Sequence, residues 1–452
     1  MSSINYEIPE WFSNAKFGIF IHWGIYSVPA FGDEWYGHWM YIPNSKCWAG
    51  DDIYTYHQQH HKGKGYKDFI KDFTGEKFDA KEWMDLFVEA GAKYVVPVAI
   101  HHDSFAMYDS RLTRWKATAM GPKVDYVRKL YEEAKNRGLK FGVSQHFAEN
   151  WWFFPHVEGL DTSEEEYFDL YNVGKGEEKT SQEHLDRWYG FSKELIDMFE
   201  PDMLYYDFEI AKDDYKEKRY EILKYYYEKQ KQWNKGVVLS YKYGAFQEGE
   251  ALLDVERGGL SEIRKLPWQT CTSIGDKSWG YVENDRYKTP LSIIQTLIDT
   301  VSKNGCLLLN VSPKADGTIP EGQVKILKEI GSWLKVYGES IYNTRPYKVY
   351  GEGETKAKDG ALSEGNTAYT KNDIRFTVSQ DKKSLYAIFM APTDEDGVTI
   401  KNVSDNKITS VSLLGYGGLS FERADDGLLV KIPKDKINGP YALKISSEDT
   451  WI

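Results

Sequence analysis

The chain has 452 residues, a net charge of −12 and 41% hydrophobic residues, enough for a barrel-sized domain plus a smaller one. Long basic runs are absent, so neither a nucleic acid nor an anionic membrane surface has electrostatic support as a partner, and no window reaches the roughly 18 apolar residues of a membrane span. Cys47, Cys271 and Cys306 are odd in number and far apart, which argues against a disulfide framework or a zinc site. The start "MSSINYEIPEWF" lacks a signal-peptide pattern, and the two features together predict a cytoplasmic location.

Short apolar runs alternate with amphipathic stretches over the first three-quarters of the chain. The strand-like runs are 17–24, 94–102, 140–146, 203–209, 237–242, 252–256, 269–274 and 306–312. Several are almost continuously apolar, as strands buried on both faces are. Helical patterns fall at 80–92, 122–138, 181–200, 213–233, 290–305 and 321–342. The first ends at Gly91, and the second opens at Pro122 and ends at Gly138, the usual start and stop residues. Eight strands with interleaved helices predict a (β/α)₈ barrel, with a doubly wound open sheet as the alternative. The barrel is expected to be distorted, because the links between strands five and six and between six and seven are too short for full helices. From about residue 346 the texture changes to short alternating runs such as "IRFTVSQ" and "SLYAIFMA", punctuated by "DG" and "GYGG". This predicts a catalytic barrel over 1–345 and a C-terminal antiparallel β-sandwich over 346–452, serving chiefly to brace the barrel.

A (β/α)₈ barrel carries its site at the C-terminal ends of the strands. Here those ends hold His22, His101 and His102, His146, Asp207, Lys242, Glu256 and Asn310. Any one of them has an ordinary reading as a residue entering a loop; the set is the signal. Several histidines could bind a metal, but neighbours such as His101 and His102 point to opposite sides of a strand, so no metal site is expected. Aromatics make up 15% of the chain, which suits either core packing or stacking on sugar rings. Glycosidic hydrolysis needs two carboxyl groups flanking the bond. Asp207 and Glu256, on alternate strands, can face each other across the mouth. Asp207 and Glu209, two apart in "MLYYDFEI", are the rival pair, since a strand puts i and i+2 on one face.

The segments "WFSNAKFGIFIHWGIYSVPAFGDEWY", "HHDSFAMYDS", "GLKFGVSQHFAENWWFF", "PDMLYYDFEI", "SYKYGAFQEGEALLDVERG" and "SKNGCLLLNVSPKADGTIPEGQ" occur in order. Through them, residues 10 to 345 resemble the α-L-fucosidases of glycoside hydrolase family 29. The resemblance implies a distorted (β/α)₈ barrel with a β-sandwich behind it, and retaining exo-hydrolysis of terminal α-L-fucosyl residues from oligosaccharides or glycoconjugates, with no cofactor or metal. It makes Asp207 the nucleophile and Glu256 the general acid/base. It places His22, His101, His102, Glu34, Trp35 and Lys242 in the sugar pocket, His146 and Asn150 at polar pocket positions of a subgroup, and Trp279 at the rim. Two alternatives stand beside it: an enzyme for a related sugar such as an α-L-galactoside, and a non-catalytic fucose-binding protein. A homo-oligomer is compatible with the sequence. Two residues depart from the family pattern. Ser104 stands in "HHDSF" where glycine is usual, with an altered turn expected, and Glu209 stands where many relatives carry an aromatic.

Overall fold

The computed structural model describes residues 6–172, 179–365, 367–403 and 406–451. Eight parallel strands close into a barrel in sequence order: β1 Phe17–Ile21, β2 Tyr94–Ile100, β3 Lys140–Gln145, β4 Met203–Tyr206, β5 Val238–Tyr241, β6 Leu252–Glu256, β7 Trp268–Ser273 and β8 Gly305–Val311. β8 pairs with β1 to complete the ring, Phe17 opposite Leu307 and Ile21 opposite Val311. Inside it, Phe20, Tyr94, Val96, Met203, Tyr205, Leu252, Cys271 and Leu308 form one packed cluster, so the barrel is filled and a ligand can enter only at its mouth.

The long helices cover the outside: α1 Ala80–Glu89, α2 Tyr126–Asn136, α3 Gln182–Phe199, α4 Lys216–Trp233, α5 Pro290–Ser302 and α6 Glu321–Tyr337. Their starts follow side-chain caps. Asp79 accepts from the Lys81 and Glu82 amides at 2.8 and 3.0 Å. Asp125 accepts from Arg128 N at 2.8 Å, which explains why α2 begins four residues beyond the proline that suggested its start. Among the described residues no helix lies between β5 and β6 or between β6 and β7. The seam there is short, with only Ser240↔Leu252 and Tyr241↔Leu253 in register between β5 and β6.

The rest of the chain is antiparallel. A six-stranded sheet is made of β9 Thr344–Glu352, β10 Ile374–Ser379, β11 Ser384–Phe389, β13 Ile408–Leu413, β14 Gly417–Leu419 and β17 Tyr441–Ser447, and a three-stranded sheet of β12 Gly397–Ile400, β15 Phe421–Ala424 and β16 Gly427–Lys431. The two enclose a separate core around Tyr347, Phe376, Phe389, Leu443 and Trp451. This sandwich docks on α5. Buried Arg375 donates through Nε to Asp299 Oδ1 at 2.7 Å, Lys303 holds Asp299 Oδ2 at 2.7 Å, and Gln295 Nε2 reaches Met390 O at 2.8 Å. Burying charge in this way is tolerable because each group has its partner.

Between β9 and β10 the chain leaves the sandwich and runs back to the barrel where β6 and β7 lack a helix. There it pairs with the segment after β6: Gly360 N donates to Gly259 O at 2.8 Å, Leu362 N to Glu256 O at 2.7 Å and Glu364 N to Arg257 O at 2.8 Å. Gly258 permits the approach, since a Cβ there would lie 1.9 Å from the Gly360 carbonyl oxygen. The strap thus covers a wall that a helix covers elsewhere in the barrel.

Candidate active site

The strands end one or two residues before the polar positions, so most of the candidate side chains sit in the first turn of each loop. A cavity of about 420 Å³ opens there. His22, Glu34, Trp35, His101, His102, His146, Asp207, Lys242, Glu256 and Trp279 line it, with Phe20 and Tyr205 among the aromatics that complete it. Asn150 is not a lining residue. It is fully buried behind the wall, and its amide donates to the His102 carbonyl at 2.7 Å and to Leu170 O at 3.2 Å. Its place is to fix the backbone that carries His102.

β2 stops at Ile100, so His101 and His102 follow a turn rather than strand alternation. Both rings therefore reach the cavity, their centroids 4.1 Å apart, where opposite sides were expected. Ser104 adopts φ +64°, the left-handed conformation that glycine would take most easily, so the turn is kept rather than altered.

The histidines have assignable protons. Asn310 Nδ2 donates to Ser273 Oγ at 3.0 Å and to Trp279 O at 2.7 Å. Its Oδ1 is therefore the acceptor at 2.7 Å from His22 Nδ1, which leaves His22 Nε2 as a lone-pair acceptor. Burial and the neighbouring imidazoles hold His22 and His101 well below the usual histidine range, so both are neutral. His146 is also lowered by burial; its Nδ1–H donates to Asp207 Oδ2 at 3.2 Å, and its Nε2 accepts from Ser144 Oγ at 2.5 Å.

His102 behaves differently. Burial opposes its charge most strongly, but Glu149, whose Oε2 lies 3.3 Å from Nδ1, together with Asp207 and the His146 carbonyl outweighs burial and raises the imidazole to about 9. His102 Nδ1–H donates to His146 O at 2.9 Å, and Nε2 faces Asp207 Oδ2 at 3.8 Å.

Asp207 immediately follows β4 in an extended conformation, and residues Phe208–Ala211 then coil into a 3₁₀ turn. That turn rotates Glu209 away, so the i, i+2 rule does not carry over to it. Glu209 is buried, does not line the cavity, is ion-paired to Lys212, and its amide donates to Glu149 Oε1 at 3.0 Å. For Asp207, burial favours the neutral acid, but the His146 hydrogen bond and the charges of Lys242 and His102 prevail and hold the carboxyl well below the usual range.

Glu256 ends β6. Burial raises its carboxyl, with Asp207 and Asp254 adding to the effect, even though Lys242 Nζ stands 3.1 Å from Oε2. The lysine's pull is divided. Its ammonium is buried and bound at 2.8 Å to Asp254 Oδ1, which also accepts from Tyr205 OH at 3.2 Å and from the Cys271 thiol at 3.0 Å. Asp254 is the main residue that sequence reasoning missed. The signal was present: Asp254 and Glu256 are i and i+2 on a genuine strand, facing the barrel interior together.

Glu34 is held by Ser278 Oγ at 2.9 Å and Trp279 N at 2.8 Å, both on Oε2. Trp35 packs over the His102 ring at 5.0 Å, and Trp279 lies 5.1 Å from the His22 ring. Two sets of side chains, His22–His101–His146 and His102–His146–Asp207, bring ligand atoms within 4.8 Å of one another and have the chemistry to hold a metal ion. In both sets the polar atoms of His146 are already committed to Ser144 and Asp207.

The mouth therefore holds Asp207, biased towards its ionised form, and Glu256, biased towards its protonated form, on alternate strands beside the neutral His22, His101 and His146 and the charged His102. A family model described as alpha-L-fucosidase matches residues 1–339, and one described as alpha-L-fucosidase C-terminal domain matches 366–446. The chain belongs to the α-L-fucosidase family. It is 31% identical to the plasma alpha-L-fucosidase of Pongo abelii, over 95% of this chain and 87% of that one. It is 30% identical to the alpha-L-fucosidase of Dictyostelium discoideum, over 94% and 89%. The Thermotoga maritima alpha-fucosidase solved in complex with fucose superposes with a TM-score of 0.75 at 30% identity, covering 97% of each chain. The (β/α)₈ barrel with its C-terminal sandwich is thus the architecture of this family's structures.

Proposed function

We propose that this member of the α-L-fucosidase family, a glycoside hydrolase, releases terminal L-fucose from oligosaccharides or glycoconjugates with retained configuration, using Asp207 as nucleophile and Glu256 as acid/base. The observation that carries the reading is the opposite bias of the two carboxyls: Asp207 is held low and Glu256 is raised, on one cavity. Environments that push two acids apart assign their roles.

The sugar enters with its anomeric carbon beside Asp207. Asp207 attacks that carbon while Glu256 gives its proton to the departing glycosidic oxygen, forming a fucosyl ester on Asp207. Glu256, now ionised, takes a proton from water, which attacks the same carbon. The C–O bond to Asp207 breaks, and L-fucose leaves with its original configuration. His102 and His146 stabilise the carboxylate that departs in this second step. His22 accepts a sugar hydroxyl at Nε2, Glu34 accepts another, and the Phe20 and Trp279 rings receive the apolar face and methyl group. Glu34, another carboxyl of the cavity, is an alternative acid by position, but Ser278 and the Trp279 amide fix one of its oxygens in the role of an acceptor.

The test is to follow an α-L-fucoside by proton NMR with purified protein. α-L-Fucose as the first-formed anomer supports the reading. β-L-Fucose would make the enzyme inverting, and binding without hydrolysis would make the protein a lectin. Faster release of L-galactose than of L-fucose would reassign the substrate.

A further inference from the structure

Leu362 is unusual in three ways at once. It is a large apolar side chain left 70% exposed. It sits at φ +54°, a left-handed backbone conformation that a leucine rarely adopts. It belongs to the strap from the C-terminal half, yet its amide donates to the carbonyl of Glu256 at 2.7 Å and its side chain lines the catalytic cavity. Exposure and strain both count against the folded state, so the fold itself gives no reason for leucine here.

Phe208 complements it. This ring is 41% exposed, lines the same cavity, and lies 5.3 Å from the Lys242 ammonium that contacts Glu256. Two exposed apolar groups therefore flank the carboxyl that protonates the leaving oxygen. Beyond Leu362 a second cleft of about 700 Å³ begins, which shares Arg257, Asp276 and Leu362 with the catalytic cavity. Leu362 stands on the ridge between the two.

We propose that Leu362 and Phe208 form the subsite for the leaving group, gripping the apolar face of the pyranose to which fucose is attached, with the rest of the glycan leaving through the second cleft. The strap is then a substrate-binding part of the enzyme and not only a brace. The general acid must lie beside the bond's leaving oxygen, so the groups around Glu256 meet the sugar on that side. Carbon–hydrogen faces of pyranoses pair with apolar side chains, as ligand sites combine apolar walls with a few fixed polar groups. This inference rests on Glu256 being the acid/base.

The test compares α-L-fucosyl fluoride, which has no leaving sugar, with a fucosylated disaccharide, for wild type, Leu362→Ala and Leu362→Met. With Leu362→Ala, kcat/KM for the disaccharide should fall roughly tenfold, mostly through KM, while fucosyl fluoride turnover changes less than about twofold. Leu362→Met should recover most of the loss, and thermal unfolding should confirm that all three fold alike. Equal losses on both substrates, or no loss on either, would overturn the subsite. A Glu256→Gln control separates the two ideas. If it lowers kcat/KM, which reports the first step alone, equally for the fluoride and the disaccharide, the acid/base reading fails and the subsite fails with it; if it spares kcat/KM for the fluoride while Leu362→Ala shows no selectivity, the subsite alone is wrong.

Discussion

The two sides of the barrel mouth are built on different principles. The side formed by β1 to β3 is a histidine wall. Three of its imidazoles are neutral, two of them with a proton placed by neighbours, His22 by Asn310 and His146 by Ser144 and Asp207, and of the four only His102 carries charge. The side formed by β5 to β7 has a buried charge cluster, Lys242 with Asp254, and a strap instead of a helix behind it. Neutral imidazoles offer lone pairs and N–H groups to hydroxyls at little desolvation cost, which suits recognition. Buried paired charges set the protonation of a neighbouring acid, which suits catalysis. Asp207 stands where the two meet and takes its low pKa from both.

Removing that meeting point gives the largest effect. Asp207→Ala should lower kcat/KM on the order of 10⁴-fold, and azide should restore turnover of an activated fucoside as a fucosyl azide of inverted configuration. Undiminished activity in the variant would take Asp207 out of the reaction. Next, Glu256→Gln should cost about 10²–10³-fold on substrates with poor leaving groups and far less on activated ones. Its kcat/KM should also lose the fall that wild type shows as pH rises through the elevated Glu256 pKa.

The charge cluster is tested through Lys242→Met. It leaves fully buried Asp254 without its cation, so unfolding free energy should drop by about 3–5 kcal/mol in denaturant titrations. In whatever protein remains folded, the basic limb of the rate profile should move to higher pH, because Glu256 loses the cation that favours its ionised form. An unchanged limb would detach the lysine from the acid.

On the histidine side the effect is smaller. A histidine whose folded pKa is raised contributes stability that is complete below about 6.5, the unfolded value, and that is lost as pH rises through about 9. Wild-type stability should therefore decline across that window, and His102→Gln should flatten the decline. The mildest change is Gly258→Ala, whose methyl group meets the Gly360 carbonyl and should push the strap outward. Disaccharide turnover should weaken by a few-fold, about the cost of losing part of one apolar contact, with fucosyl fluoride turnover nearly unaffected.

The sequence made the fold legible where periodicity and length are decisive. Eight apolar runs and six helical patterns lie where the structure has them, and the links too short for helices after β5 and β6 hold none among the described residues. The site was legible as a set of strand-end residues, and the two carboxyls on alternate strands share a cavity. What failed was local direction. His101, His102 and Glu209 sit just past strand ends, where a turn replaces alternation, so rules of facing no longer apply. Asn150 carries a pocket-like polar side chain but spends it on a backbone carbonyl. Leu362 lay beyond reach of any motif, because its importance comes from about a hundred residues of sequence separation closing into one hydrogen bond with Glu256.

That long-range closure bears on inheritance. A barrel with every helix in place would ask of its C-terminal partner only a matching docking face, such as the one that pairs Arg375 with Asp299. Here the wall beside the acid/base is finished by a segment encoded after the barrel, so the two halves of the gene are bound to travel together. A chimera that exchanges the C-terminal halves of two relatives would carry over a new bracing sandwich and, with it, a new choice of substrate.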